Sequence, residues 1–93
     1  MSRSEYERKL NLVKQITPRS EWVILYRRLE IIPFSKVAKE FTNNRELQKK
    51  IVRRLKNRSP ILRKLKGIPN TPSWWRVALD IYEELREKMY RRK

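Results

Sequence analysis

The sequence predicts an all-α fold, a single small domain of about four to five helices over residues 1–93. Apolar residues recur three and four positions apart from end to end, which is the spacing of one helix face. No stretch sustains the period-two alternation of a half-buried strand, so a β-sheet is not expected. A chain of 93 residues with 39% hydrophobic content is large enough for one core, although too small for the deep cavities that many enzymes use.

The first two helices are predicted from their start signals. Ser2 and Ser4 each stand three residues before a glutamate, which is the spacing of a capping box, so the first helix should run from one of them to Ile16. A Thr-Pro pair opens the second helix, expected over residues 17–31, because proline is accepted in the first helical turn. The buried stripe of the second helix should consist of Trp22, Leu25, Tyr26 and Leu29.

Polar cap residues and prolines divide the middle of the chain. Ser35 is the cap signal for a short helix over residues 35–41, and Asn43 is the signal for a longer helix over residues 44–58. A proline at the start of the next segment allows one more short helix. The clearest break in the helical pattern is at residues 67–72, where the only glycine stands.

The last helix is expected over residues 73–91, after a second Thr-Pro pair. Adjacent tryptophans cannot share one helix face, so either Trp74 or Trp75 should reach a second surface. Because exposed tryptophans are typical of docking sites, both are candidate protein-partner residues. The buried face of this helix should hold Trp74, Ala78, Ile81, Leu85 and Met89.

The strongest functional signal is the distribution of charge. Residues 45–66 hold ten Lys and Arg against the single acid Glu46, which accounts for nine of the fifteen net positive charges. A small protein with so much like charge repels itself, and a polyanionic partner relieves the repulsion. The sequence therefore predicts a nucleic-acid-binding protein. The candidate contact residues are Asn43, Asn44, Arg45, Lys49, Lys50, Arg53, Arg54, Lys56, Arg58, Arg63, Lys64 and Lys66.

The fourth helix, residues 44–58, separates its apolar and basic residues onto two faces. Leu47, Ile51 and Leu55 fall on one side of a helical wheel. A merely solvated face usually mixes both signs to gain ion pairs four residues apart, whereas this face is nearly all positive. One side is therefore expected to pack and the other to contact phosphates. The basic side holds Arg45, Lys49, Arg53 and Lys56.

Residues 35–51 resemble a helix-turn-helix. Ala38 stands at the small-residue position, and Phe41, Leu47 and Ile51 stand at the packing positions. The resemblance implies that the fourth helix is a recognition helix, with Asn43, Asn44, Arg45, Gln48 and Lys49 near base edges. Sequence-independent contact with the phosphate backbone is the favoured interpretation. Charge does not distinguish DNA from RNA, because both carry phosphates.

A second function fits the composition as well. The chain could be an accessory subunit of a larger nucleic-acid machine, such as a subunit of a DNA polymerase holoenzyme or a ribosomal protein. Its basic helices would then contact DNA or RNA while exposed aromatic residues dock on protein. Binding by the purified chain alone, or only with a protein partner, distinguishes the two hypotheses.

Catalysis, metal sites and cofactors are not expected. Cysteine and histidine are absent, which removes thiolate nucleophiles, the usual general base and the commonest metal ligands. The acids of the last helix are better explained by ion pairs four residues apart, such as Arg76 with Asp80, than by a metal shell. The other acids of this group are Glu83, Glu84 and Glu87, the last two expected to pair with Lys88 and Arg91. No small-molecule substrate is predicted.

Membrane attachment is not expected either. No apolar run approaches the length of a membrane span or a secretory signal, so the sequence predicts a soluble cytoplasmic protein associated with nucleoid or ribonucleoprotein. The three leucine and isoleucine residues of the fourth helix are too few to bind lipid as well as form the core. Abundant Lys, Arg and Glu with a single glycine favours a thermophilic source.

Overall fold

A computed structural model describes residues 3–91, with the side chains of residues 3–90. It confirms the all-α fold, because these residues form six α-helices and only one small two-stranded sheet. The helices are α1 (Arg3–Gln15), α2 (Trp22–Arg27), α3 (Phe34–Phe41), α4 (Arg45–Arg58), α5 (Pro60–Leu65) and α6 (Pro72–Arg91). A 3₁₀ turn (Arg19–Glu21) precedes α2, and the strands are β1 (Ile31–Pro33) and β2 (Gly67–Pro69). The start predicted at Ser2 lies outside the described residues.

Helices α4 and α6 form the centre of the core, and α4 also packs against α3 and α5. The buried face predicted for α4 is confirmed, since Leu47, Ile51 and Leu55 are all buried. Trp74, Ala78, Ile81 and Leu85 of α6 are buried too, and Met89 packs at the edge of the same cluster. Because α4 turns its apolar side to the core, its basic side must face outward.

The prediction that no sheet forms was wrong for two segments. β1 pairs with β2 antiparallel, with Ile32 opposite Ile68 and Pro33 opposite Gly67. A Cβ atom on Gly67 would lie 2.2 Å from the carbonyl oxygen of Ile32, so only glycine allows this close approach. Strands of three residues are too short to show an alternating pattern in the sequence.

The second helix is shorter than predicted, since the 3₁₀ turn and α2 are the only helical segments within residues 17–31 and Ile31 already belongs to β1. Thr17 does not cap it, because its hydroxyl donates to the carbonyl of Val13 at 2.7 Å and closes α1 instead. Of the predicted buried stripe, only Leu25 is buried, and Tyr26 is 56% exposed. The prediction of this stripe was wrong because α2 has only six residues and the chain then continues into β1.

The N-terminus of α6 is capped by a residue distant in the sequence. The carboxylate of Glu21 accepts the backbone N–H of Ser73 at 2.8 Å, and its second oxygen accepts the Ser73 hydroxyl. A negative charge at a helix N-terminus is favourable, because the unpaired N–H groups and the helix dipole are positive there. This contact fixes the 3₁₀ turn against α6.

The ends of α4 and α5 are held by local caps. Asn44 rather than the predicted Asn43 caps α4, its Oδ1 accepting the backbone N–H of Leu47 at 3.1 Å. Ser59 caps α5 in the same way, its Oγ accepting the backbone N–H of Ile61 at 3.2 Å. Ser35 does not cap α3, since Pro33 occupies the cap position and Ser35 lies within the first turn. α4 and α5 therefore have defined ends beside the basic surface.

Candidate nucleic-acid interface

The outward face of α4 borders an open groove of about 460 Å³, walled by the first turn of α3 and by α5. A second depression shares Lys56 and Arg63 with this groove and continues it to Phe34 and Lys66. We call the combined feature the cationic groove. Its basic side chains are Arg45, Lys49, Arg53, Lys56, Arg63 and Lys66.

These basic side chains are not neutralised by the protein's own acids. Within residues 3–90, none of the six groove cations forms an ion pair with a carboxylate. Arg58 and Lys64 are exposed nearby and are also without such a pair in this part of the chain. A continuous positive surface therefore runs along α4 and α5.

Two of the predicted contact residues have acidic partners. Lys50 Nζ lies 3.8 Å from a carboxylate oxygen of Glu46, and Arg54 Nη2 lies 2.6 Å from Glu84 Oε1. Both basic residues are only partly exposed, on the flanks of α4 rather than in the groove. Eight of the ten basic residues predicted between positions 45 and 66 thus keep a charge that no described carboxylate offsets.

Arg63 is held in place at the C-terminal end of α4. Its Nε donates to the carbonyl of Lys56 at 3.0 Å, and its Nη2 donates to Asn57 Oδ1 at 2.6 Å. Carbonyls in the last turn of a helix carry partial negative charge, so a guanidinium is stabilised there. These two hydrogen bonds hold the Arg63 guanidinium against the end of α4.

The residues implied by the helix-turn-helix resemblance are only partly directed outward. Residues 42–44 join α3 to α4, and Asn43, Arg45 and Lys49 are exposed. The Asn44 side chain is used as a cap, and Gln48 Nε2 donates to the carbonyl of Thr42 at 2.7 Å. These two amides therefore stabilise the turn.

The adjacent tryptophans separate as predicted, with one in the core and one at the surface. Trp74 is 7% exposed and donates its Nε1–H to the carbonyl of Ile16 at 2.9 Å, so it offers no docking surface. Trp75 is half-buried against the Phe41 ring, with 6.1 Å between ring centroids, and donates to Asn70 Oδ1 at 2.8 Å. Only Trp75 of the pair reaches the surface.

Two acids of α6, Asp80 and Glu84, form ion pairs. Arg76 lies 3.3 Å from Asp80, and Lys88 lies 3.3 Å from Glu84, as predicted from their spacing. The predicted pair of Glu87 with Arg91 involves a side chain outside the described ones. No group of three or more acids among the described residues is placed to hold a metal ion. None of the helices described is both long and apolar enough to cross a membrane.

The ion pair between α4 and α6 should be visible in the titration of Glu84. The hydrogen bond from Arg54, and then that from Lys88, lowers the pKa of Glu84 below its usual 4.5. The stabilisation by this carboxylate is therefore present above pH 4.5 and is lost as the pH falls through the lowered pKa. Carbon-13 NMR titration should show the Arg54→Gln variant raising the Glu84 pKa. Arg76→Gln is the control, because Arg76 pairs with Asp80 rather than with Glu84. It should leave the titration of Glu84 unchanged.

Sequence features alone would have found one further groove residue. Val52 is half-buried in the groove, three residues after Lys49 and four before Lys56, so it lies on the basic face itself. Ser35 and Asn57 also line the groove, but only the packing of α3 and α5 against α4 places them there. The groove is therefore not purely charged.

Comparison with protein-family models, with curated proteins and with solved structures gave no match to this chain. The charge, the shape and the hydrogen bonding of the groove are therefore the features that point to a function.

Proposed function

We propose that this chain is a nucleic-acid-binding protein that holds a phosphate backbone in the cationic groove. The observation that carries the proposal is the set of six basic side chains along one groove, with no ion pair to a described carboxylate. Phosphates that bind such side chains release condensed counterions, which provides most of the binding free energy without any base contact.

The length of the surface favours a polymer over a small anion. From Arg45 to Lys56 the helix rises about 16 Å, at about 1.5 Å per residue. The groove then continues around Arg63 to Lys66. A single phosphate or carboxylate would contact one or two of these side chains and leave the rest unneutralised. A chain of phosphates contacts all of them at once.

The types of residue favour backbone contact over base reading. Three of the six groove cations are Lys, a flexible point charge, and the other three are Arg, which can hold a phosphate as well as a guanine edge. Reading of other bases usually needs amide side chains. Of the three amides around the start of α4, Asn44 and Gln48 are bonded to the protein's own backbone, and Asn43 is left exposed. The proposed binding is therefore largely independent of nucleotide sequence.

Binding should depend steeply on salt. For a site that neutralises about six phosphates, we expect log K to fall with log salt at a slope of about −5 on duplex DNA and about −4 on a single strand. Fluorescence anisotropy with a labelled oligonucleotide, from about 50 to 200 mM salt, measures this slope. Poly-glutamate is the control competitor, since it offers charge without phosphates. A slope near zero, or no binding at the lowest salt, would contradict the proposal.

An accessory subunit remains the second candidate, favoured by apolar side chains on α2. Val23 is 57% exposed and Tyr26 is 56% exposed, on the surface where Lys14 Nζ lies 4.5 Å from the Trp22 ring centroid. Exposed aromatic residues with a basic rim suit docking on an acidic protein. A chain that binds nucleic acid tightly as a monomer favours the first function, and one that binds only with a partner favours the second.

A further inference from the structure

We propose that the cationic groove receives an unpaired nucleotide, so that the chain prefers single-stranded nucleic acid over a duplex. This inference rests on the proposed function and names the class of strand that the groove accepts. Its starting point is Val52, a half-buried apolar side chain among the basic residues that line the groove.

The surface around Val52 suits a ligand with two kinds of chemistry. A phosphate placed on an apolar side chain loses water without gaining a hydrogen bond, which is unfavourable. The face of a base has the opposite requirement, because it gains from leaving water. A nucleotide presents both groups, so its base can cover Val52 while the neighbouring phosphates reach Lys49 and Lys56.

Arg63 adds a flat surface at one end of the groove. Its guanidinium is held by the carbonyl of Lys56 and by Asn57 Oδ1, so little ordering is needed on binding. Arg planes stack with unpaired bases in single-stranded RNA complexes. Because Asn57 uses its oxygen for Arg63, its amide NH₂ group is left to donate to a base edge or phosphate.

The shape of the groove distinguishes a single strand from a duplex. A cavity of about 460 Å³ is in the size range of small-ligand sites, which suits one or two flexible nucleotides. In a duplex the bases are stacked and paired, and extruding one costs free energy. A duplex would therefore contact only the basic rim and leave Val52 uncovered.

The test compares four probes on the whole chain by fluorescence anisotropy at one salt concentration. The probes are single-stranded DNA and RNA of about twelve nucleotides, a length that covers one site, and the duplexes of the same sequences. We expect at least one single strand to bind about tenfold or more tightly than either duplex. The two single strands separate a DNA ligand from an RNA ligand, and a preference for either one supports the inference.

Two variants of Val52 make the test specific to the groove. Val52→Ala should weaken single-strand binding about threefold to tenfold and weaken duplex binding far less, because a duplex does not cover Val52. Val52→Tyr should strengthen it about fivefold or more by adding a stacking surface, a gain that misfolding cannot produce. Circular dichroism should show that both variants keep the helix content of the unmodified chain.

The outcomes separate this inference from the proposed function. Equal affinity for single strands and duplexes, with Val52 variants indistinguishable from the unmodified chain, overturns the inference while steep salt dependence still supports nucleic-acid binding. No binding to any of the four probes at low salt overturns both.

Discussion

Reversing the charge of Lys49, Arg53 and Lys56 to glutamate is expected to weaken nucleic-acid binding by about a hundredfold or more while leaving the helices folded. All three side chains are exposed, line the cationic groove and form no ion pair with a described carboxylate. The variant therefore loses three phosphate contacts and gains three repulsive ones. Among the described residues, its only loss at the core is the distant cation–π contact of Lys56 with the Phe34 ring, 6.0 Å from the centroid. Electrophoretic shift titration measures the affinity, and circular dichroism measures the helix content.

A matched variant shows whether the position of the charge matters. Arg8, Arg27 and Lys39 are exposed basic residues of α1, α2 and α3 that do not line the groove. Their reversal to glutamate changes the net charge by the same amount and should weaken binding far less. An equal loss in the two triple variants would mean that overall charge, rather than the groove, determines affinity.

The largest expected effect on stability comes from Leu55→Ala, which should lower the free energy of unfolding by about 2–5 kcal/mol. Leu55 is fully buried on the face of α4 that packs in the core with α6. Shortening the side chain leaves a cavity that the surrounding helices only partly fill. For a domain whose total stability is about 5–15 kcal/mol, this loss is large. Urea unfolding followed by circular dichroism gives the value.

Val23→Ala is the control for that measurement, since Val23 is also an apolar helical residue but is largely exposed on α2. Its substitution should change the free energy of unfolding by no more than about 0.5 kcal/mol. A cost for Leu55→Ala below about 1 kcal/mol would contradict the position of α4 at the centre of the core.

The spacing of apolar residues in the sequence predicted the helices that pack one face against the core, α4 and α6. Leu47 and Ile51 of α4, and Ala78 and Ile81 of α6, are spaced so that a 3.6-residue period places each pair on a single side. The outward direction of the basic residues of α4 follows from the same period. The buried faces of α4 and α6 were therefore predictable from the sequence.

The parts that could not be predicted depend on residues distant in the sequence. Whether Ile32 enters a strand depends on Gly67 being available to approach its carbonyl. The cap of α6 comes from Glu21, and the partner of Arg54 comes from α6. Local patterns contain no information about such contacts, because only the tertiary fold brings these groups together.

The candidate site also has one part that local sequence predicts and one part that depends on the tertiary fold. Its ten basic residues were predicted from charge alone, and the structure adds that eight of them form no ion pair with a described carboxylate and that six of these eight line the groove. The groove itself arises because α3 and α5 flank α4, which places Ser35 and Arg63 beside the α4 side chains. The charge predicts nucleic acid as the ligand, and the packing of the short helices determines the shape of the groove.

The most direct test of the central claim is the salt dependence of binding in the Lys49→Ala, Arg53→Ala and Lys56→Ala triple variant, compared with the unmodified chain. If these side chains each neutralise a phosphate, the slope of log K against log salt should become shallower by about two to three. An unchanged slope would show that none of the three displaces counterions from nucleic acid, and would contradict the assignment of the groove.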